Sequence, residues 1–170
     1  VDDYINAKFS LFEKTGLQNA VVNIGDPYGV KLVEKLSEDL NVFVYSTKKT
    51  NLEFYKRQNI SFIYCEKIET ESFRKRIIEV QSPWGKATIK INLLGEFNIE
   101  NVLAAFTVLC LSGASTEAVA AKLSDFNGLP GRMEVFSSED KPLIVVDYAH
   151  TPDALEKALT SLKPYCKGEL

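Results

Sequence analysis

The stretch from Ala20 to Ser46 most constrains the fold. "AVVNI" is short and continuously apolar, "DPYGVKLVEKLSEDL" carries apolar residues at helical spacing from Val30 to Leu40, and "NVFVYS" is apolar again. A strand, a helix and a strand in that order form a crossover, so the two strands are expected to pair in parallel with the helix across one face. Strands apolar without alternation belong in a sheet covered on both sides. The chain is therefore read as α/β.

Around this unit the pattern changes. "YINAKFSLFEKTG" reads as a helix closed by Gly16. "SFIYCEKIE" and "FRKRIIEVQSPWGKATIKINLLG" are strand-like, with Pro83-Trp84-Gly85 as a hairpin turn. They are expected to form a small antiparallel sheet attached to the α/β part. "FNIENVLAAFTVLCLSG" and "STEAVAAKLSDFNG" follow as helices, with Asn98 and Ser115 as N-caps. Pro130-Gly131 is a break suited to a domain boundary. Strands at Met133–Phe136 and Leu143–Val146, joined by a turn over Ser137–Lys141, and a helix from Thr151 complete the pattern. "LIVVDY" reads as a central parallel strand.

The 170 residues carry a net charge of −3 with acids and bases interspersed, so no basic surface for nucleic acid is expected. The longest apolar run, Val102–Leu111, is too short to span a bilayer, and no membrane partner is expected. The odd, dispersed Cys65, Cys110 and Cys166 show neither a disulfide framework nor metal-ligand spacing, which fits a reducing cytoplasm. The first residue is Val, and the sequence ends at "CKGEL", where a new strand would begin. Both features are expected of a piece of a larger protein.

Four places could carry chemistry. In "VVDYAHTPDALEKAL" a strand ends at Asp147, and Tyr148 and the chain's only histidine, His150, precede a helix start. Open α/β sheets bind ligands at such a junction. Helix N–H groups there favour anions, and Asp147 suits a ribose hydroxyl or a cation. The bland reading is capping and turn chemistry. Lys8 falls inside the apolar arc of its helix, with Tyr4, Ile5, Phe9, Leu11 and Phe12. A lysine there snorkels, pairs or loses its proton, and a neutral amine is a nucleophile that takes up carbon dioxide. In "GEFNIEN", Asn98 and Asn101 are three apart and offer amides that match an adenine edge. Arg132 follows a flexible Gly and could reach a phosphate or a surface carboxylate. "GDPYGVKL" lacks the spacing of a phosphate-binding loop.

Taken in order, "YINAKFSLF", "GEFNIENVLAA", "LPGRMEVF" and "VVDYAHTPDALEKAL" resemble segments of the Mur ligases of peptidoglycan synthesis, in the branch that adds the third residue of the peptide. The resemblance implies that residues 1–129 are the later part of a central ATP-binding domain. Residues 130–170 would open a Rossmann-like C-terminal domain that receives the amino acid. It implies ATP and Mg²⁺ as cofactors, with UDP-N-acetylmuramoyl-dipeptide and a free amino acid as substrates joined through an acyl phosphate. It also implies roles: Lys8 carbamylated and binding Mg²⁺; Asn98 and Asn101 at adenine; Arg132 and Asp147 at phosphate and ribose; Tyr148 and His150 in the ATP-facing turn. The fragment is expected to be inactive alone, and its truncated C-terminal segment to lie against the central domain or pair with a second copy of the chain. Two rivals are a folylpolyglutamate synthetase-like ligase and a non-catalytic α/β nucleotide-binding module. "DYAHTPDALE" speaks for the muramoyl branch.

Overall fold

The computed structural model describes residues 2–48, 59–72, 74–137 and 142–166. The expected turn at 138–141 and the expected strand start at 167–170 lie outside these.

The crossover forms as its sequence requires. β1 (Asn19–Asn23) and β2 (Asn41–Ser46) pair in parallel, with Ala20 opposite Val42 and Val22 opposite Val44. Between them α2 (Pro27–Lys35) starts where the Asp26 side chain accepts from the Tyr28 N–H, with Pro27 in its first turn. The helix stops at Lys35, short of Leu40, because Ser37 holds a turn of its own: its carbonyl accepts from the Leu40 N–H. Leu36 and Leu40 still reach the core from that turn. Ala20, Val22, Val42 and Val44 bury against Leu32 and Val33 on one face of the sheet. Phe43 and Tyr45 face a second cluster on the other side. Both faces are covered, as continuously apolar strands demand.

β3 (Ile60–Thr70) pairs in parallel with β2 and in antiparallel with β4 (Arg76–Ser82), which forms a hairpin with β5 (Gly85–Ile91). The antiparallel strands attach by extending the parallel ones, in a single five-stranded sheet of order β1-β2-β3-β4-β5. β3 is long enough to serve both partners, and an irregularity between Cys65 and Lys67 adjusts its course. Trp84 in the hairpin turn stacks on Phe43. α3 (Phe97–Leu111) lies over this face, burying Leu103 and Phe106 against Ile63, Ile78 and Ile89. α4 (Thr116–Asp125), capped by Ser115, covers β5, and Ser124 Oγ accepts from the Lys90 N–H on that outer edge.

α1 (Asp2–Phe9) and a 3-10 turn at Ser10–Glu13 replace the single N-terminal helix. Phe9 and Phe12 pack against the β1–β2 cluster, while Tyr4 and Leu11 stay exposed. The apolar arc is therefore buried along only one flank.

A second, two-stranded sheet joins β6 (Glu134–Phe136) and β7 (Ile144–Val146) in antiparallel fashion, followed by α5 (Pro152–Leu162). The expectation of a central parallel strand at Leu143–Tyr148 is corrected. Val145 packs inward, whereas Ile144 and Val146 are exposed beside Phe136. The segment lies against the larger unit. Met133, Val135, Val145, Ala158 and Leu162 cluster with Leu94, and buried Arg76 donates to Leu93 O and to Tyr165 Oη. Among the described residues no helix is long and apolar enough to cross a membrane.

Candidate functional site

The entry to α3 is built around Gly95. Its φ is +91°, and a Cβ there would come within 2.6 Å of the Phe97 ring, so the chain turns here only with glycine. The turn places Asn98 second in the helix. The expectation that Asn98 is the N-cap is corrected: Glu96 holds that position without a side-chain cap. Asn98 instead donates back to Leu94 O at 2.7 Å and accepts from the Asn101 amide at 3.0 Å. This fixes the Asn101 side chain while leaving its own oxygen and second N–H for a ligand.

Facing it is the loop into β6. Gly131 donates to Glu134 Oε2, and Met133 is buried at a φ of 47°. Asp147 holds that conformation. One carboxylate oxygen accepts from the Met133 N–H and the other from the Ala149 N–H, both at 2.8 Å. Each oxygen keeps a further lone pair for a ligand. The Arg132 guanidinium lies 4.9 Å from the centre of the Tyr148 ring, which meets His150 edge-on, and His150 Nδ1 is 2.9 Å from Tyr148 O.

The anion site expected at the start of α5 is narrowed. Thr151 Oγ1 accepts from the Ala154 N–H, Pro152 has no N–H, and Asp153 adds a carboxylate to the first turn.

These elements enclose a cavity of about 520 Å³. Asn98 and Asn101 line one side, Arg132 and Asp147 another, with Leu93, Phe97, Val102, Phe126 and Leu129 as apolar wall. Tyr148 and His150 stand beside it through Arg132 rather than in its lining. An apolar slot with a few convergent polar groups suits a heterocycle with an anionic tail.

Lys8 is not part of this assembly. It is exposed on α1, with Nζ 4.6 Å from the Tyr4 ring centre. Among the described residues no three His, Cys, Asp or Glu side chains gather to hold a metal.

Two features went unread in the sequence. Lys157 lines the cavity one turn after Ala154, a spacing visible in the helix period. Asn23 at the end of β1 donates to Glu100 Oε2 at 3.0 Å, a contact no local pattern announces.

The family model described as "Mur ligase middle domain" matches residues 1–109, and "Mur ligase, glutamate ligase domain" matches residues 131–170. The chain belongs to the Mur ligase family. A UDP-N-acetylmuramoyl-L-alanyl-D-glutamate–2,6-diaminopimelate ligase of Coxiella burnetii is 39% identical over the whole chain, which covers 34% of that protein. The ligase of the same name from Vibrio cholerae is 37% identical, again over the whole chain and 32% of the relative. A solved structure of a ligase of this name, 30% identical, superposes with a TM-score of 0.70 over 95% of this chain and 32% of its own. The chain spans about a third of the length of the curated relatives it matches.

Proposed function

We propose that this chain supplies the adenine and ribose side of the ATP site in a ligase that adds the third amino acid to UDP-N-acetylmuramoyl-dipeptide. The observation that carries the reading is the convergence of Asn98, Asn101, Arg132 and Asp147 on one cavity. Asn101, steadied by Asn98, offers an acceptor and a donor to the adenine edge. Asp147 accepts from the ribose hydroxyls with the lone pairs its backbone bonds leave free. Arg132, stacked on Tyr148, meets phosphate, and His150 packs behind Tyr148.

ATP phosphorylates the terminal carboxylate of the dipeptide, giving an acyl phosphate and ADP. The amine of the incoming residue attacks the acyl carbon and phosphate leaves. This chain's residues hold the nucleotide in place and neutralise part of its charge. The names of the relatives favour 2,6-diaminopimelate over lysine as the amino acid. Mg²⁺ belongs to the reading through the family alone, and so does the carbamate at Lys8. The setting is the cytoplasm. We place the boundary between the two domains at residues 129–130. A second copy of the chain is the occupant proposed for the exposed apolar side chains of β7, and sedimentation across a concentration series tests it; strict monomers would refute pairing.

The test of function is a complete ligase containing this chain, supplied with UDP-N-acetylmuramoyl-dipeptide, ATP, Mg²⁺ and either amino acid. Amide product should appear with equimolar ADP and phosphate, and Asn101→Ala should raise the KM for ATP. Absence of product with both amino acids would overturn the assignment.

A further inference from the structure

A nucleotide seated between Asn101 and Asp147 must place its anionic tail somewhere, and the start of α5 offers it a narrowed receiver. In the first turn of α5 the Ala154 N–H is taken by Thr151 Oγ1, Pro152 has no N–H, and Asp153 adds a carboxylate. What the same helix does present is Lys157. It lies on the α5 face shared with Ala154 and Ala158, in the wall of the 520 Å³ cavity. It also lines the neighbouring cleft of about 500 Å³, together with Phe97, Glu96, Glu100, Asp153 and Glu156. Lys157 thus borders both spaces.

Its present partner is easily given up. Lys157 Nζ is 2.9 Å from Asp153 Oδ2, one helical turn back, and both side chains are more than two thirds exposed. Such surface pairs hold weakly, and the lysine stem is long and flexible. Arg132 and Lys157 are the only two cations in the cavity lining, on opposite elements, with Asp147 as the one anion.

We infer that Lys157 is a phosphate-binding residue of this pocket, parked on Asp153 until a nucleoside polyphosphate arrives and then exchanging that carboxylate for phosphate oxygens. The inference rests on the nucleotide reading of the cavity and extends it to a residue within "VVDYAHTPDALEKAL" to which the sequence reading gave no role. No bond is made or broken; one ion pair replaces another, and the freed Asp153 returns to solvent.

The test uses this chain, labelled with ¹⁵N, and weak binding followed through the side-chain amides of Asn98 and Asn101. Adenosine and ATP are titrated separately at low ionic strength. Both should shift these signals, with ATP the tighter ligand. Lys157→Met should weaken ATP about fivefold, the contribution expected of one exposed charge-assisted contact, and leave adenosine unchanged. Asp153→Asn, which removes the competing carboxylate, should move ATP affinity the other way. Added salt should shrink both effects. Equal loss of adenosine and ATP affinity in Lys157→Met would mean a merely structural role and overturn the inference, as would unaltered ATP affinity. If adenosine itself leaves the Asn98 and Asn101 signals unmoved, the nucleotide reading of the cavity fails, and the inference with it.

Discussion

The carboxylate of Asp147 accepts a hydrogen bond from the backbone N–H of Met133 at 2.8 Å, and Met133 is the only non-glycine with positive φ among the described residues. The acid at the end of β7 therefore fixes the loop that carries Arg132. It shapes one wall of the cavity as well as facing it.

Asp147→Ala should cost stability as well as nucleotide affinity. Two backbone N–H groups lose their acceptor, and a strained backbone loses its clamp, a loss of about 1–3 kcal/mol. Urea unfolding measures it, and amide exchange should quicken at Met133 and Ala149. An unchanged midpoint would show that the loop holds without its clamp. Met133→Gly relieves the positive φ but removes a side chain only 4% exposed. Burial of that size outweighs backbone relief, so this variant should be destabilised too.

Buried Arg76 and Tyr165 join the two sheets, with Nη2 to Oη at 2.9 Å. Tyr165→Phe leaves a buried guanidinium short of an acceptor and should cost about 1–3 kcal/mol. Arg76→Met strands Leu93 O and the phenol instead. In the double variant both partners of the Arg76–Tyr165 bond are gone, so its loss should fall short of the summed single losses. Additive losses in the urea midpoints would mean that the contact carries no coupling between the sheets.

Cys65, in the core beneath α3, has its thiol pushed from 9.0 up to about 12 by burial. The folded thiol stays protonated after the unfolded one has ionised. Its contribution to stability is therefore whole below pH 9 and is lost as pH rises toward 12. Iodoacetamide at pH 8 should label half-buried Cys166 first and Cys65 only on unfolding. Rapid labelling of Cys65 in the native chain would contradict its burial.

Lys8→Ala should leave the stability of this chain within about 0.5 kcal/mol of the parent, because the side chain is exposed. In the complete ligase the same change should abolish turnover, with partial rescue by added short carboxylates. Full activity of the variant would remove Lys8 from the site.

What was legible in the sequence was local. The crossover, the Ser115 cap and the Pro83-Trp84 hairpin follow from short-range patterns. The site residues announced themselves as motifs, yet the sequence does not say what they touch. Asn98 looked like a cap because Asn before an apolar run usually is one, whereas Gly95 turns the chain earlier. For Lys8 a helical wheel gives the apolar arc but not the element that covers it. The bond from Asp147 to Met133 spans fourteen residues and depends on pairing two strands, which no window reveals.

Gly29 shows the same limit in a form that reverses a sign. By propensity, alanine replacing glycine inside α2 should stabilise by about 0.5–1 kcal/mol. Here a Cβ would lie 1.8 Å from the carbonyl oxygen of Asn23, and backbone cannot swing aside as a side chain does. The helix would have to lift from β1, separating Leu32 and Val33 from Ala20 and Val22. Overpacking of this kind costs about 1–3 kcal/mol or more, which exceeds the propensity gain. Asn23 is also the residue whose side chain donates to Glu100 on α3, so the strain reaches the helix that carries Asn98 and Asn101. Gly29→Ala should therefore lower the melting temperature and shift the side-chain amide signals of Asn98 and Asn101 without any ligand. A melting temperature raised by the substitution would show that α2 does not lie against β1 as closely as the structure has it.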